Sequence, residues 1–330
     1  MRFHVETYGC TANLGNSRAA EAALFEMGHQ AVSIDDAEIV IVNTCAVTEK
    51  TERKILKRLH QLQGDRLIIA GCLSAALPYS IEGIECRLRT GILGESAIEE
   101  IARLFDSSPS GYQNNALPEQ ERQDLCGVVN IAEGCNASCS YCIVRKARGK
   151  LASKSPKDVL EAVRKLIGLG IVEIQLTAQD IAAYGRDIGT DLPELLKAVK
   201  EVPGDYMIRI GMMNPDTVLP MLDDLISVLH SPKIYKFIHL PVQSGSDKIL
   251  ESMGRKYTAD DFLEIVNRLR GEFEDIYLMT DVITGFPGET DDDFRQTLEL
   301  IKSVEPDKVN VTRFSVRPGT GAARLYDMPD

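Results

Sequence analysis

Residues 127–142 read GVVNIAEGCNASCSYC, an apolar stretch typical of a β-strand followed at once by three cysteines within eight residues. Cys135, Cys139 and Cys142 have the spacing C-x3-C-x2-C. A loop this short lets three thiolates bind three irons of a cubane iron–sulfur cluster, and it offers no fourth cysteine. We therefore predict a cluster whose fourth iron is left for a ligand that is not protein.

Zinc is the alternative metal for this loop. Closed structural zinc sites take four ligands, usually from paired C-x2-C or Cys/His units, and no second unit or nearby histidine follows Cys142. The chain has eight cysteines and no secretion signal, which favours metal or redox chemistry over a disulfide framework. An iron–sulfur cluster is the preferred interpretation.

Residues 1–105 alternate short apolar runs with amphipathic segments in the order β-α-β-α-β, which predicts a small parallel sheet with helices on its faces. Cys10, Cys45 and Cys72 each follow a predicted strand, in TYGC, NTC and AGC. Carboxyl ends of parallel strands lie at one edge of a sheet, so these thiols are expected to converge. We interpret them as ligands of a second cluster; the alternative is three free buried thiols.

From residue 126 onward the alternation resumes and repeats six times, which predicts an open, partial (β/α)6 barrel. The predicted strands read GVVNIAE, VEIQLTA, YMIRIGM, KFIHLPV, DIYLMTDVI and KVNVTRF. Ser155 is predicted to cap the first barrel helix, with Pro156 at its first position and Gly168 or Gly170 ending it. The fold class is thus α/β, an N-terminal parallel-sheet domain followed by a partial barrel.

The ends of the predicted barrel strands carry polar side chains and glycines, as a bound nucleoside-like cofactor requires. His239 lies on an apolar strand and is given no catalytic role. Cys86 and Cys126 are isolated in sequence and are interpreted as structural thiols. The candidate cofactor-binding residues are Gln179, Asp180, Gln243, Ser244, Asp281 and Gly285.

The length of 330 residues and the hydrophobic content of 44% are sufficient for two domains with proper cores. Residues 106–125 are polar, contain proline and lack periodicity, so they are predicted to link a domain at 1–105 to one at 126–330. No apolar run reaches membrane-spanning length, which predicts a cytoplasmic protein.

The net charge of −12 argues against a uniformly basic surface, so nucleic-acid contact has to be local or come from another module. One basic segment, residues 143–157, contains no acidic residue. Two interpretations stay open, a phosphate-binding surface beside the cluster loop and an ordinary solvated face. Its cationic residues are Arg145, Lys146, Arg148, Lys150, Lys154 and Lys157.

Seven motifs together resemble the methylthiotransferase family of radical S-adenosylmethionine enzymes, from Thr7 to Ala323. Within that family, KARGKLAS, AYGRDIGTDLPELL and IRIGMMNP are most similar to the archaeal and eukaryotic branch, which acts on N6-threonylcarbamoyladenosine beside the anticodon of tRNA. The seven motifs are ETYGCTAN, NTCAVTE, GCLSAALP, GCNASCSYCIVRKARGK, HLPVQSGSDKILESMGRKYT, TDVITGFPGETDDDF and RPGTGAA.

The resemblance implies two 4Fe-4S clusters and S-adenosylmethionine as cofactors. Cys135, Cys139 and Cys142, here named the loop cysteine set, would bind the cluster that cleaves S-adenosylmethionine to a 5′-deoxyadenosyl radical. The auxiliary cluster, which handles sulfur, would be bound by the N-terminal cysteine set: Cys10, Cys45 and Cys72. The implied reaction is hydrogen abstraction from C2 of adenine, sulfur insertion there, and methylation by a second S-adenosylmethionine.

The implied partners are a tRNA and an electron donor, and no membrane is involved. The resemblance does not imply an oligomeric state. Family members normally continue past the RPGT motif into a small β-barrel RNA-binding domain, which this sequence, ending at Asp330, does not include. Weak tRNA affinity is therefore expected. Two alternatives remain: methylthiolation of another target, either isopentenyladenosine in tRNA or an aspartate of a ribosomal protein, and a non-catalytic iron–sulfur module for electron transfer or sensing.

Overall fold

The computed structural model describes residues 1–105 and 125–325, and the chain divides into two compact units. The first unit comprises Met1–Asn130 and Ile143–Gly149, and the second comprises Ile131–Cys142 and Lys150–Asp330. The loop cysteine set therefore belongs to the second unit, whereas the segment directly after it belongs to the first. The predicted linker at 106–125 lies outside the described residues except for Leu125, so the predicted domain boundaries stay a prediction.

The first unit contains a five-stranded parallel sheet in the order β2-β1-β3-β4-β5. The sequence pattern predicts β1, β3 and β4 but not β2 and β5, which have only two and four residues, too few for a recognisable strand signal. The strands are β1 (Arg2–Thr7), β2 (Gln30–Ala31), β3 (Ile39–Thr44), β4 (Gly64–Gly71) and β5 (Cys86–Arg89).

Within its described residues the first unit also contains five α-helices and a sixth strand. Helix α2 begins where the side chain of Thr48 accepts a hydrogen bond from the backbone N–H of Thr51, as an N-cap does. The helices are α1 (Thr11–Glu26), α2 (Glu49–Leu62), α3 (Cys72–Ala76), α4 (Glu95–Phe105) and α5 (Val144–Arg148), and the strand is β6 (Cys126–Asn130).

The central strand β3 is buried along its whole length because helices cover both of its faces. Val40 and Val42 pack with Ile55 and Leu59 of α2 in one apolar cluster. The alternate residues of β3 point the other way, into a second cluster that includes residues of α1 and α4. That cluster contains Ile39, Ile41, Leu24, Ile101 and Phe105.

The second unit contains the other five predicted barrel strands, so all six predicted strands exist, the first as β6. Strands β9 (Glu173–Thr177) and β10 (Met207–Ile210) pair in parallel, and β11 (Phe237–His239), β12 (Tyr277–Thr284) and β13 (Lys308–Arg313) form a parallel sheet in that order. A short antiparallel pair, β7 (Ala132–Glu133) and β8 (Ala152–Ser153), flanks the loop cysteine set in sequence.

One or two α-helices lie between successive strands of the second unit from β8 onward. The predicted boundaries of α6 are confirmed, because it starts at Pro156, ends at Gly168, and is capped by the Ser155 hydroxyl, which accepts from the N–H of Asp158 at 3.2 Å. Among the described residues no helix is long and apolar enough to cross a membrane. The helices are α6 (Pro156–Gly168), α7 (Leu192–Lys200), α8 (Pro215–Val218), α9 (Leu222–Leu229), α10 (Asp247–Ser252), α11 (Ala259–Glu272) and α12 (Asp291–Val304).

Truncating a buried side chain of the central strand β3 should destabilise the first unit. Ile41 has no exposed surface, so Ile41→Ala is expected to lower the free energy of unfolding by about 2–5 kcal/mol through lost burial and the cavity left behind. Denaturant titration of the protein measures this. Val47→Ala is the control, because Val47 is 47% exposed, and it should change stability by less than about 0.5 kcal/mol. Equal effects of the two substitutions would contradict the burial assigned to β3.

Candidate metal centres

The N-terminal cysteine set follows the carboxyl ends of three neighbouring strands. The register pairs Thr7 of β1 with Asn43 of β3, and Thr44 of β3 with Gly71 of β4. Because Thr44 and Gly71 are paired, Cys45 and Cys72 leave the sheet at the same level. Cys10 directly precedes α1 and Cys72 is the first residue of α3, so each helix begins at the edge where the thiols lie.

Two glycines allow the chain segments that carry these cysteines to approach one another. Gly9 has φ +104°, and a Cβ there would lie 2.9 Å from the sulfur of Cys45. Gly71 has φ +96°, and a Cβ there would lie 2.5 Å from the backbone nitrogen of Thr44. Each glycine immediately precedes a cysteine of the set, and the absence of a side chain at each position leaves room for the segment that carries Cys45.

Asn13, at the start of α1, ties this edge together and is completely buried. Its Nδ2 donates to the carbonyl of Tyr8 at 2.6 Å and to that of Thr44 at 2.9 Å. Its Oδ1 accepts from the thiol of Cys72 at 3.6 Å. One amide thus joins the backbone before Cys10, the backbone before Cys45 and the side chain of Cys72.

The three thiols differ in exposure. Cys10 is exposed, whereas Cys45 and Cys72 are buried. Burial raises the pKa of Cys72 to about 11, so iron has to displace a proton from it. No three His, Cys, Asp or Glu side chains within residues 1–105 and 125–325 converge closely enough to hold a single metal ion. A cubane binds each thiolate through a different iron, so its ligands do not converge on one point.

Two distant motifs anchor the loop that contains Cys135, Cys139 and Cys142. The backbone N–H of Ser140 donates to the carbonyl of Met253 at 2.8 Å, and its carbonyl accepts from the N–H of Ala322 at 2.7 Å. Gly254 has φ +72°, and a Cβ there would lie 3.0 Å from the carbonyl oxygen of Ser138. The motifs LESMGRK and RPGTGAA therefore hold the loop in place.

A polar cavity of about 180 Å³ opens beside the loop. Cys135 and Cys139 line one side of it, and both cationic and anionic side chains line the rest. Such a mixture suits a zwitterionic ligand, because carboxylates attract an ammonium group and guanidinium groups bind a carboxylate. The charged lining residues are Asp180, Asp216, Arg186, Arg255 and Lys256.

Two of these lining residues have polar atoms that the described protein leaves without a hydrogen bond. Oδ1 of Asp216 and Nε of Arg255 are buried and have no partner within the described residues. Arg255 is otherwise fixed, since it donates to Oδ1 of Asn214 at 3.0 Å and to the hydroxyl of Tyr141 at 2.5 Å. Buried polar atoms are normally satisfied, so the site fits a ligand with both an amino and a carboxylate group, such as S-adenosylmethionine.

Asp180 is the predicted cofactor residue that lies in this cavity. It is 5% exposed, and it accepts from the N–H of Asn214 at 3.1 Å and from the hydroxyl of Thr217 at 2.9 Å. Burial raises its pKa to about 6, against the lowering effect of these hydrogen bonds. The neighbouring Gln179 has a buried amide with no hydrogen bond to any described residue.

Gln179 and the other four predicted cofactor residues do not line this cavity. The Ser244 hydroxyl lies 3.2 Å from that of Thr297, and the backbone N–H of Gly285 donates to Glu289 at 2.5 Å. Gln243 adopts φ +69° and forms an isolated parallel bridge with Val282. Asp281 lies 3.1 Å from Nε2 of His239 and accepts from Asn310 at 2.7 Å. Their roles stay predictions.

The basic segment contains one residue that is not on the surface. Arg145, Lys146, Lys150, Lys154 and Lys157 are exposed, which both interpretations of the segment require. Arg148 is 8% exposed and donates to the side chains of Asn13 and Asn16 in the first unit. The charge pattern gave no sign of this, because a buried arginine and a solvated one look alike in sequence.

Comparison with known proteins identifies the family. Residues 129–301 match the family model described as the radical SAM superfamily, and residues 2–88 match the one described as uncharacterized protein family UPF0004. A relative from Pyrococcus abyssi, named probable threonylcarbamoyladenosine tRNA methylthiotransferase, is 42% identical over 345 residues, covering 100% of this chain and 80% of its own. The chain belongs to this family of radical SAM methylthiotransferases.

More distant relatives agree with this family and with the fold. Threonylcarbamoyladenosine tRNA methylthiotransferase of Drosophila melanogaster is 33% identical over 352 residues, covering 100% of this chain and 63% of its own. The solved structure of the radical S-adenosylmethionine methyltransferase TsrM from Kitasatospora setae, with cobalamin and a [4Fe-4S] cluster bound, has a TM-score of 0.70 at 16% identity and covers 97% of this chain and 76% of that one. The predicted family, fold class and enzyme class are thus confirmed.

The predicted cofactors are those of the radical SAM methylthiotransferases, namely 4Fe-4S clusters and S-adenosylmethionine. The assignment of individual cysteines to each cluster stays a prediction. In the first unit, the contacts of Gly9 and Gly71 and the hydrogen bonds of the Asn13 amide agree with a cluster bound by the N-terminal cysteine set. In the second unit, the anchored loop agrees with a cluster bound by the loop cysteine set, and the unsatisfied polar atoms of the adjoining cavity agree with bound S-adenosylmethionine.

Asp180→Asn should remove a pH dependence of stability. The pKa of Asp180 is raised from about 3.8 to about 6 on folding, so the folded protein holds this proton more tightly, and stability falls as pH rises through that interval. The unfolding free energy of the unsubstituted protein should fall relative to that of Asp180→Asn by up to about 3 kcal/mol between these pH values. Denaturant titrations across the range measure the difference. A difference independent of pH would show that Asp180 titrates normally.

Proposed function

We propose that this protein is a tRNA methylthiotransferase that converts the N6-threonylcarbamoyladenosine beside the anticodon to its 2-methylthio derivative. The observation that carries the proposal is that the chain contains two separate sets of three cysteines and that its relatives are named for this activity. A tRNA substrate agrees with the predicted cytoplasmic location. An external one-electron donor completes the proposed set of partners.

Each cysteine set is proposed to bind one 4Fe-4S cluster. The loop cysteine set, anchored by backbone hydrogen bonds of Ser140, would hold the cluster next to the charged cavity. The N-terminal cysteine set would hold the auxiliary cluster at the edge of the five-stranded sheet. Neither set contains a fourth cysteine, so each cluster would keep one iron for a small ligand.

When bound, S-adenosylmethionine would supply the 5′-deoxyadenosyl radical and the methyl group, and the auxiliary cluster would handle the sulfur. The protein has to bind and orient S-adenosylmethionine, and the cavity offers the side chains for this. In this proposal Asp180 and Asp216, which line the cavity, attract the α-amino group, and Arg255 and Lys256 bind the carboxylate. The hydrogen bonds of Arg255 to Asn214 and Tyr141 fix the guanidinium in advance, which reduces the entropy lost on binding.

Iron analysis tests the two-cluster assignment. Anaerobically reconstituted protein should contain about eight irons per chain, and Cys10→Ala or Cys135→Ala should each retain about four, because each removes one ligand from one cluster only. Cys86→Ala is the matched control and should keep about eight irons. A value near four in the unsubstituted protein, unaffected by Cys10→Ala, would contradict an auxiliary cluster.

Nucleoside analysis tests the reaction. The reconstituted protein, given S-adenosylmethionine, sulfide and a reductant, should form 2-methylthio-N6-threonylcarbamoyladenosine on tRNA that carries threonylcarbamoyladenosine. Cys135→Ala should form neither this product nor 5′-deoxyadenosine, whereas Cys10→Ala should still form 5′-deoxyadenosine, since the loop cysteine set remains. Mass spectrometry of digested tRNA measures the product.

The alternatives give different results in the same assay. A product only on tRNA containing isopentenyladenosine, or only on a ribosomal-protein aspartate, would assign the enzyme to another target. Absence of reductant-dependent 5′-deoxyadenosine with all irons in place would favour an electron-transfer or sensing module. The product 2-methylthio-N6-threonylcarbamoyladenosine forms only if the proposed target and the proposed radical chemistry are both correct.

The exposed part of the basic segment is proposed to bind tRNA phosphates. Arg145→Glu with Lys146→Glu should weaken tRNA binding and reduce the salt dependence of the dissociation constant by roughly one unit of log–log slope for each phosphate that is no longer bound. Arg148 is left unchanged because it is buried. Lys302→Glu is the control, because Lys302 is an exposed cation on α12, outside the basic segment. An unchanged slope would mean that these charges only face solvent.

A further inference from the structure

Arg148, the last residue of α5, directs its charge into the first unit instead of toward solvent. Its Nη2 donates to Oδ1 of Asn16 at 3.0 Å and also contacts Oδ1 of Asn13. Both asparagines lie on the first turns of α1, directly after Cys10. Burying a guanidinium is costly unless hydrogen bonds and neighbouring negative charge compensate it, so the groups around Arg148 indicate its role.

The Asn13 carboxamide connects this guanidinium to the N-terminal cysteine set. Its Oδ1 accepts from both Arg148 and the thiol of Cys72, so the guanidinium and the sulfur share one acceptor atom. Its Nδ2 is already used by the carbonyls of Tyr8 and Thr44, which fixes the orientation of the amide. When Cys72 binds iron it loses its proton and no longer donates to Asn13, so a negatively charged sulfur then lies beside the cation.

The geometry alone places the cation next to the sulfur. The Arg148 guanidinium and the Cys72 thiol both bond to Oδ1 of Asn13, so the positive charge lies where the sulfur becomes a thiolate, the form in which cysteine binds metal.

We propose that Arg148 is a positioning residue of the auxiliary cluster: its guanidinium, aligned by Asn13 and Asn16, compensates the negative charge at the Cys72 sulfur and raises the reduction potential of that cluster. The proposal rests on the proposed function, in that it takes Cys10, Cys45 and Cys72 as the ligands. Nearby charge and hydrogen bonds to cysteine sulfurs are among the factors that set the potential of an iron–sulfur cluster. A buried cation acts strongly because water does not screen it.

The sequence position of Arg148 adds to its significance. It lies six residues after Cys142, in the segment that leaves the second unit and joins the first. A single short stretch of chain thus contributes a ligand of the proposed radical cluster and the compensating charge of the proposed auxiliary cluster.

The test isolates the auxiliary cluster. In a chain with Cys135→Ala, Cys139→Ala and Cys142→Ala, the remaining cluster is reduced stepwise under anaerobic conditions, and its midpoint potential is followed by electron paramagnetic resonance. Arg148→Met and Arg148→Gln remove the charge. Each should lower the reduced-to-oxidised ratio at a fixed applied potential about tenfold, which for one electron corresponds to a downward shift of about 59 mV.

Two further variants separate charge from shape. Arg148→Lys keeps the charge and should stay closer to the unsubstituted potential than to that of Arg148→Met. Lys146→Met is the matched control, because Lys146 is an exposed cation on the same helix, and it should leave the potential unchanged. Thermal unfolding of the iron-free proteins is recorded in parallel. A purely structural role of Arg148 would lower the melting temperature and leave the potential of the loaded cluster unchanged.

The outcomes are distinguishable. About four irons in the triple variant with an unchanged potential in both neutral Arg148 variants would overturn the role of Arg148 and leave the two-cluster assignment intact. Absence of iron in the triple variant itself would overturn the auxiliary-cluster assignment and this proposal with it. If neither neutral variant folds, Asn16→Asp decides, because a carboxylate at this position would neutralise the Arg148 guanidinium without removing it. A lower reduced-to-oxidised ratio at the fixed applied potential supports the charge role, and an unchanged ratio overturns it.

Discussion

The parallel register of β1, β3 and β4 is the constraint on which the N-terminal site depends. Pairing of Thr7 with Asn43 and of Thr44 with Gly71 fixes where each strand ends, and a shift of one residue would point a cysteine to the opposite face. The register is in turn fixed by β3, whose alternate residues fill an apolar cluster on each side of the sheet. Packing in the core therefore determines the geometry of thiols at the edge.

Much of this arrangement could be predicted from the sequence, because the signals are local. Alternating apolar runs predicted three of the five strands of the first sheet and six barrel strands, all of which the structure contains. Ser155 and Pro156 predicted the start of α6. Strand β5 was missed because four residues with half of their side chains exposed carry too little pattern. The burial of Arg148 was missed because it depends on Asn13, which is distant in sequence and has no pattern of its own.

The two proposed centres satisfy their polar groups in different ways. At the sheet edge, Asn13 and Asn43 bond within the protein, Asn43 donating to the carbonyl of Asn13 and to the hydroxyl of Ser17 at 2.9 Å each. In the cavity of the second unit, Asp216 and Arg255 keep buried atoms that no described residue pairs. A site that binds a group permanently can have a complete hydrogen-bond network, whereas one that exchanges a polar substrate has to leave partners for it. This contrast favours a resident cluster in the first case and S-adenosylmethionine in the second.

The net charge of the chain helps to separate the cations that would bind RNA from the one that would not. With a net charge of −12, the long-range field of the protein disfavours a polyanion, so RNA binding depends on cations concentrated locally. The basic segment contains six cations, but one of them, Arg148, is buried within the first unit and is not available to bind RNA. Lysine and arginine both bind phosphates at surface positions, whereas a buried site beside Cys72 needs a cation that stays charged without water. Arginine meets that requirement because its guanidinium remains protonated even when desolvated. The interior position of Arg148 is therefore better explained by the thiolates than by RNA.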